Sequence, residues 1–164
     1  MTATATATAT ATTATTAPTV PIAVNARVIA LAHHAARALL EDALVRHGAT
    51  FHQSVTLRTV ASAGESIGRD ELVGDVCGFL KTDASVVRAV IEELTAGKLL
   101  EEDPAQVSRV RLTDAGRELY ESTAAEGAEI AARLYAGIPA EDLAIAGRVL
   151  TLVTDRANAE LAGA

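Results

Sequence analysis

The stretch from 81 to 89 contains residue types that bind base edges and phosphates of nucleic acids. Arg88 suits guanine O6 and N7, and Ser85 suits a base edge or a phosphate. Ala89 lies on the same exposed face of a predicted helix. Lys81 and Thr82, at the start of that helix, suit phosphate contacts that would position it. The alternative interpretation is an ordinary solvated helix face.

Three further arginines could contact phosphates. Arg69 begins the preceding helix pattern and could hold that helix on a nucleic-acid backbone. Arg109 and Arg111 alternate with Val110 and Leu112, which predicts a strand with one buried and one cationic face. For these two arginines the sequence leaves two interpretations open, contact with phosphate or ordinary charge on an edge strand.

The histidines and the single cysteine favour structural roles over metal or redox sensing. His33 and His34 are adjacent and cannot face the same way on a helix, whereas His47 and His52 flank a turn and could approach each other. Their spacing matches no established zinc signature, so no metal site is predicted. No basic residue adjoins Cys77 in the sequence to activate its thiol, which favours a buried structural cysteine.

No catalytic motif appears in the sequence. It lacks G-x-S-x-G, a P-loop and H-E-x-x-H, and its acidic runs lie near a turn and a loop. We therefore predict that the chain is not an enzyme and needs no cofactor.

The elements that would position the candidate residues follow one another without a gap. Helix patterns over 69–80 and 83–96 are joined by a short turn, with Thr82 or Asp83 as the cap of the second. Gly97 ends that helix, and alternating segments at 99–102 and 108–112 predict a two-stranded hairpin. Helix, turn, helix and two-stranded wing is a layout that docks on nucleic acid. A winged helix is therefore predicted over about 50–113.

Long helices flank this unit. They are predicted over about 23–47 and 114–137, with a sixth helix after Pro139 extending to about 161. A second helix, 51–63, should begin with a capping box between Thr50 and Gln53, and 64–68 reads as a turn. The sixth helix is apolar on two faces, which a partner chain would explain. The prediction is a mainly α single domain over 22–164 with N- and C-terminal dimerisation helices.

Composition limits the remaining possibilities. Residues 2–17 are only Ala and Thr, without the basic start or Leu-rich stretch of a secretory signal, so 1–21 is predicted to be a disordered tail. No apolar run of 18 residues predicts a membrane span, and a cytoplasmic protein is expected. The net charge is −7, and the segment 66–117 has seven basic against ten acidic residues, a net of −3. This balance argues against a nonspecific nucleic-acid coat protein.

Two strings accompany this order of elements, G-K-L-L at 97–100 and R-L-T-D-A-G-R-E-L at 111–119. On the order of the elements and on these two strings, the chain resembles the MarR family of bacterial winged-helix regulators over about 25–161. The resemblance implies a homodimer that binds double-stranded DNA, with the fourth helix in the major groove and the wing tip at the minor groove. It departs from the family at the wing, where Asp103 has no arginine after it in 104–107.

The resemblance further implies a repressor of a pseudo-palindromic operator that a small ligand releases. A pocket is expected between the first, second and fifth helices, lined by small aliphatic residues with Arg58 or His52 as polar contacts. An aromatic acid could pair with Arg58, although the scarcity of aromatic residues predicts little stacking. The alternative is a winged-helix interaction module that has lost DNA binding, which the local charge of −3 favours.

Overall fold

Six helices and a small antiparallel sheet make up residues 23–163, the part of the chain that the computed structural model describes. The helices are α1 (Ala26–Arg46), α2 (Phe51–Ser62), α3 (Arg69–Leu80), α4 (Ala84–Ala96), α5 (Asp114–Tyr135) and α6 (Ala140–Ala162). The strands are β1 (Ser66–Gly68), β2 (Leu100–Asp103) and β3 (Gln106–Leu112). The predicted mainly α winged helix is confirmed, while the tail 1–21 lies outside the described residues.

The sheet has three strands, because β1 adds to the two strands that were predicted for the wing. Its order is β1-β3-β2, with Ile67 opposite Val110 and Leu100 opposite Leu112. The segment 64–68, predicted as a turn, contains β1. Three residues are too few to show an alternating pattern, and only the pairing with β3 makes them a strand.

Several helix ends are set by the caps that the sequence contains. The Thr50–Gln53 capping box is present, and Thr113 Oγ1 accepts a hydrogen bond from the Gly116 amide at 3.0 Å to begin α5. α1 begins three residues later than predicted because the Asn25 side chain accepts from the amides of Arg27 and Val28. α5 ends at Tyr135, two residues early, just before a left-handed turn at Gly137.

The hydrophobic core lies inside the winged unit. Its fully buried side chains come from α2, α3, α4 and the sheet: Leu57, Val60, Leu72, Val76, Val87, Ile91, Leu94, Leu100 and Val110. α1 and α2 pack against α5, which links the long helices to this unit. α6, by contrast, buries none of its residues within one chain.

Candidate nucleic-acid interface and ligand cavity

The turn between α3 and α4 fixes how the two helices meet. Lys81 adopts a left-handed conformation (φ 54°), and its amide donates to the Cys77 carbonyl at 2.8 Å, which ends α3. Asp83 is the N-cap residue of α4, but no side chain closes that end with a hydrogen bond. Asp83 therefore occupies the predicted cap position, but its side chain makes no capping hydrogen bond. The open end suits an anion, although the Asp83 carboxylate lies beside it.

α4 divides into a buried face and an open face. Val87, Val90, Ile91 and Leu94 are buried, while Ser85, Arg88 and Ala89 are exposed, as the helical period predicts. Val86 is also exposed, at 40%, and no role was predicted for it from the sequence. Its position could have indicated one, because it is a large aliphatic residue outside the buried stripe of the helix. The open side of α4 therefore combines one cation, a hydroxyl and apolar groups with the exposed carboxylates of Glu92 and Glu93.

The basic residues near this face differ in their surroundings. Within residues 23–163, Lys81 and Arg88 are exposed and have no ion pair, so both are available to an anionic partner. Arg69, the first residue of α3, is half-buried and is followed at once by Asp70 and Glu71. Phosphate contact would therefore suit Lys81 and Arg88 better than Arg69.

Arg109 and Arg111 are bonded inside the sheet. The Arg109 guanidinium donates to Ser66 Oγ at 3.1 Å from Nε and to the Ser66 carbonyl at 2.5 Å from Nη2. Arg111 donates from Nε and Nη2 to one oxygen of Glu101, at 2.8 and 2.6 Å. Of the two interpretations that the sequence left open, this geometry favours strand charges that stabilise the wing.

The wing tip is held by Asp103 and has no cation of its own. Ser66 Oγ donates to Asp103 Oδ2 at 2.6 Å, and the Ala105 amide donates to Oδ1 at 2.9 Å. The Ser66 bond, followed by the Ala105 bond, lowers the pKa of the Asp103 carboxyl below its usual range. The tip residues that follow are exposed, including Val107. Any minor-groove contact at this tip would have to form without an arginine.

A cavity of about 380 Å³ lies between α1, α2 and α5. Arg58 lines it, whereas His52, six residues earlier on α2, does not. The other lining residues are small or aliphatic apart from two tyrosines: Ala36, Leu40, Ser54, Tyr120, Thr123, Ala124, Gly127, Ile130, Ala131, Leu134 and Tyr135. Both tyrosines of the chain therefore line the cavity, so a ligand here would have two phenol rings within reach.

Arg58 connects this cavity to the helix-turn-helix. Its guanidinium carbon lies 4.9 Å from the centre of the Phe79 ring, near the end of α3. Such a contact is a cation–π interaction. One positive group therefore faces a cavity with two phenols and also touches the helix that precedes α4.

His47 pairs with a carboxylate instead of with His52. Its Nε2 lies 2.8 Å from Glu126 Oε2, and Arg46 donates to the other oxygen of Glu126, so the end of α1 is tied to α5. The bond from Arg46, followed by that to His47, lowers the pKa of the Glu126 carboxyl below its usual range. In residues 23–163 no three His, Cys, Asp or Glu side chains come close enough together to hold a metal ion, and Cys77 is a half-buried free thiol.

Apolar side chains remain uncovered along α6, α1 and the end of α5. On α6 these are Ile145, Val149, Leu150, Leu152, Val153 and Leu161, and on α1 they include Val28, Leu31 and Leu39, with Val24 just before that helix. Large exposed apolar surfaces of this kind are typical of protein–protein contacts. None of the helices in residues 23–163 combines the length and apolarity needed to cross a lipid bilayer.

Solved structures with this arrangement include several MarR-family regulators. A MarR-family transcriptional regulator from a Rhodococcus species matches with a TM-score of 0.65, at 19% identity over 77% of this chain and 91% of its own. BpsR of Bordetella bronchiseptica matches with a TM-score of 0.60, at 28% identity over 77% and 96% of the two chains. The chain has the MarR fold. No protein-family sequence model and no curated protein sequence matches the chain.

The proteins that share this MarR fold include DNA-binding regulators, and some respond to ligands. A MarR variant from E. coli in complex with operator DNA matches with a TM-score of 0.64, at 20% identity over 77% of this chain and 91% of its own. DNA binding by BpsR is regulated by 6-hydroxynicotinic acid. The matched proteins are described as transcriptional regulators and not as enzymes, in agreement with the expectation from the sequence.

Proposed function

We propose that this chain is a homodimeric transcriptional regulator that binds double-stranded DNA and represses transcription from a pseudo-palindromic operator. The observation that carries the proposal is α4 itself. Its apolar stripe is buried in the core, and its opposite face is exposed. The helix is the second of a helix-turn-helix and is followed in the chain by the strands of the sheet. A helix presented in this way can enter the major groove of DNA. Such a protein would act in the bacterial cytoplasm.

In this proposal the residues of α4 and its turn make the principal contacts. Arg88 would donate to a guanine, with Ser85 and Ala89 beside it, and Lys81, Thr82 and Arg69 would bind phosphates. Arg109 and Arg111 would reach DNA only by exchanging their bonds to Ser66 and Glu101 for phosphate oxygens. The four residues Lys81, Thr82, Ser85 and Arg88 are therefore the core of the proposed interface.

A second copy of the chain would complete the regulator. The uncovered apolar residues of α6 and α1 would be buried between two subunits, whose two α4 helices would then face two half-sites of DNA. The twofold axis of such a dimer requires a pseudo-palindromic site.

The cavity between α1, α2 and α5 would bind a small aromatic acid that releases the DNA. Arg58 would pair with its carboxylate, and Tyr120 or Tyr135 would contact its ring. The test uses 4-hydroxybenzoate as the probe. The wild type should show a thermal shift and lose DNA, whereas Arg58→Ala should show neither. Arg37→Ala is the matched control, because Arg37 also stacks on a phenylalanine, Phe51, but does not line the cavity.

DNA binding is tested by fluorescence anisotropy of the purified chain with duplexes enriched from a random pool. We expect one twofold-related sequence to bind far more tightly than its scrambled version at moderate salt. Binding that does not distinguish the two sequences would contradict an operator-specific regulator. No binding even at low salt would contradict DNA binding altogether.

A second function, a winged-helix module that binds proteins and no longer binds DNA, is favoured by one set of observations. The segment 66–117 has a net charge of −3, and two of its seven basic residues, Arg111 and Arg117, are in ion pairs with acidic partners. An acidic surface weakens the phosphate attraction on which DNA affinity depends. The low-salt binding experiment separates the two functions.

A further inference from the structure

Val86 does not fit the amphipathic pattern of α4. The other large aliphatic residues of the helix point into the core, whereas Val86 is 40% exposed. A β-branched residue on the open side of a helix restricts its own rotamers and adds no helix propensity. Neither core packing nor helix formation therefore accounts for a valine at this position.

Val86 and Ala89 together form a small apolar patch. Residues three apart are neighbours on a helix surface, so the exposed side chains of Val86 and Ala89 share one part of that surface, next to Ser85. This patch is far too small to hold a protein partner, which needs on the order of 1,000 Å² of buried surface. It is large enough to cover a single methyl group, and thymine presents one in the major groove.

α4 has few basic side chains with which to recognise bases, so an apolar contact would contribute more to its discrimination between bases. Arg88 is the helix's one basic residue, against Glu92 and Glu93. Glu93 accepts a hydrogen bond from Gln53 Nε2 at 3.2 Å and is held at the start of α2. A single arginine can specify one base pair, so a second base must be read by other means.

The geometry points to Val86, backed by Ala89, as a specificity-determining residue that contacts the C5 methyl of one thymine in each half-site. The inference rests on the proposed DNA binding and adds to it the base that this position selects. Val86 lies in the first turn of α4, and recognition helices contact bases through their N-terminal residues. The valine would exclude water from the thymine methyl, and Arg88 would read a neighbouring base.

Uracil substitution tests this contact, because uracil keeps every hydrogen-bonding group of thymine and lacks only the methyl. The full chain is first used to select its preferred duplex, and each thymine is then replaced singly by uracil in both half-sites. At one position the wild type should lose roughly fourfold in affinity per half-site, the effect of one unburied methyl. Val86→Ala should bind the thymine duplex more weakly and show no further loss with uracil at that position.

Val107→Ala is the matched control, since Val107 is an exposed valine at the wing tip, which would face the minor groove, where thymine presents no methyl. It should retain the full uracil effect. The inference is overturned if no uracil substitution weakens the wild type, if the half-site contains no thymine, or if Val86→Ala keeps the same loss. In each of these outcomes specific DNA binding still stands. If the chain binds no duplex at low salt, the proposed function and this inference fall together.

Discussion

At the scale of single residues, Arg109 and Arg88 hold their charges in different surroundings, since the Arg109 guanidinium is bonded to Ser66 whereas Arg88 is exposed. The alternation of Arg109 and Arg111 with Val110 and Leu112 predicted a strand with a cationic face, and β3 confirms the strand. What those cations contact depends on Ser66 and Glu101, which lie in the neighbouring strands β1 and β2. Since β1 was not predicted, the Ser66 bonds to Arg109 could not be foreseen. The exposure of Arg88, by contrast, could be predicted from the helical period of α4 alone.

Arg88 and Arg109 should therefore respond differently to removal of their charge. Arg88→Ala should weaken operator binding by roughly 1–3 kcal/mol and relax the preference at one base position in each half-site. For Arg109→Ala we expect a lower melting temperature and an unchanged salt dependence of DNA binding, because its guanidinium is bonded to Ser66.

Binding of both variants to operator and scrambled duplexes across a salt series measures these effects. A contact from Arg109 to phosphate would instead appear as a salt slope reduced by about 0.9 per subunit, with all sequences weakened alike. A loss for Arg88→Ala that is equal on both duplexes would contradict base recognition by this residue.

Glu126 should make stability sensitive to acid. Its bonds to Arg46 and then His47 lower its pKa in the folded chain, so the ionised form is stabilised by folding. That contribution is present above the unfolded value of about 4.5 and is lost as the pH falls through the lower folded value. Glu126→Gln should therefore melt below the wild type at pH 7, and the difference should shrink below about pH 4.5.

Melting temperatures between pH 3 and pH 7 measure this dependence. Glu121→Gln is the control, because Glu121 is an exposed residue of α5 without an ion pair in the described part of the chain. A difference between Glu126→Gln and wild type that stays constant down to pH 3 would show that the pairing contributes nothing to the pH dependence.

At the scale of elements, the string 111–119 could be located from the sequence, but its physical basis appears only in the structure. Thr113 Oγ1 accepts from the Gly116 amide and donates to the Lys98 carbonyl at 2.7 Å, so one side chain caps α5 and joins it to the base of the wing. A Cβ on Gly116 would lie 2.0 Å from the carbonyl oxygen of Leu99. The glycine is needed because α5 crosses the chain before β2 at backbone contact.

Gly116→Ala should accordingly be among the most damaging small substitutions in the chain. The atom it would meet belongs to the backbone and cannot rotate away, so we expect a loss of about 3 kcal/mol in the free energy of unfolding. Urea denaturation measures it. Gly74→Ala is the control, since a Cβ there meets nothing within 4 Å and should stabilise α3 by roughly 0.5–1 kcal/mol. Equal stability of the two variants would contradict the close crossing.

At the scale of the whole molecule, the sequence predicted that α6 needs a partner, and one chain alone does not cover it. The apolar residues of α6 occupy two faces, and none is buried in the described residues. A helix of 23 residues with six exposed large aliphatic side chains is unfavourable in water. In the proposed dimer the surface that covers α6 belongs to a second copy of the chain. How two copies pack together could not be predicted from the pattern of one sequence.

Leu150→Asp tests the dimer directly. Leu150 is 42% exposed in one chain, and in a dimer it would be buried, so a carboxylate there would lose its hydration without gaining a partner. We expect a penalty on the order of 3 kcal/mol at each of the two symmetry-related sites, roughly 6 kcal/mol in all, which weakens association by about four orders of magnitude. Val107→Asp is the control, because it also places an acid at an exposed aliphatic residue but in the wing, 71% exposed and far from α6 in the sequence.

Light scattering at micromolar concentration reports the mass of each form. The wild type and Val107→Asp should be dimers, and Leu150→Asp should dissociate and lose operator binding, since a single subunit can contact only one half-site. A dimeric Leu150→Asp would place the contact surface elsewhere on α1 or α5. A wild type that is monomeric at this concentration would contradict the dimer, and with it the twofold symmetry of the proposed operator.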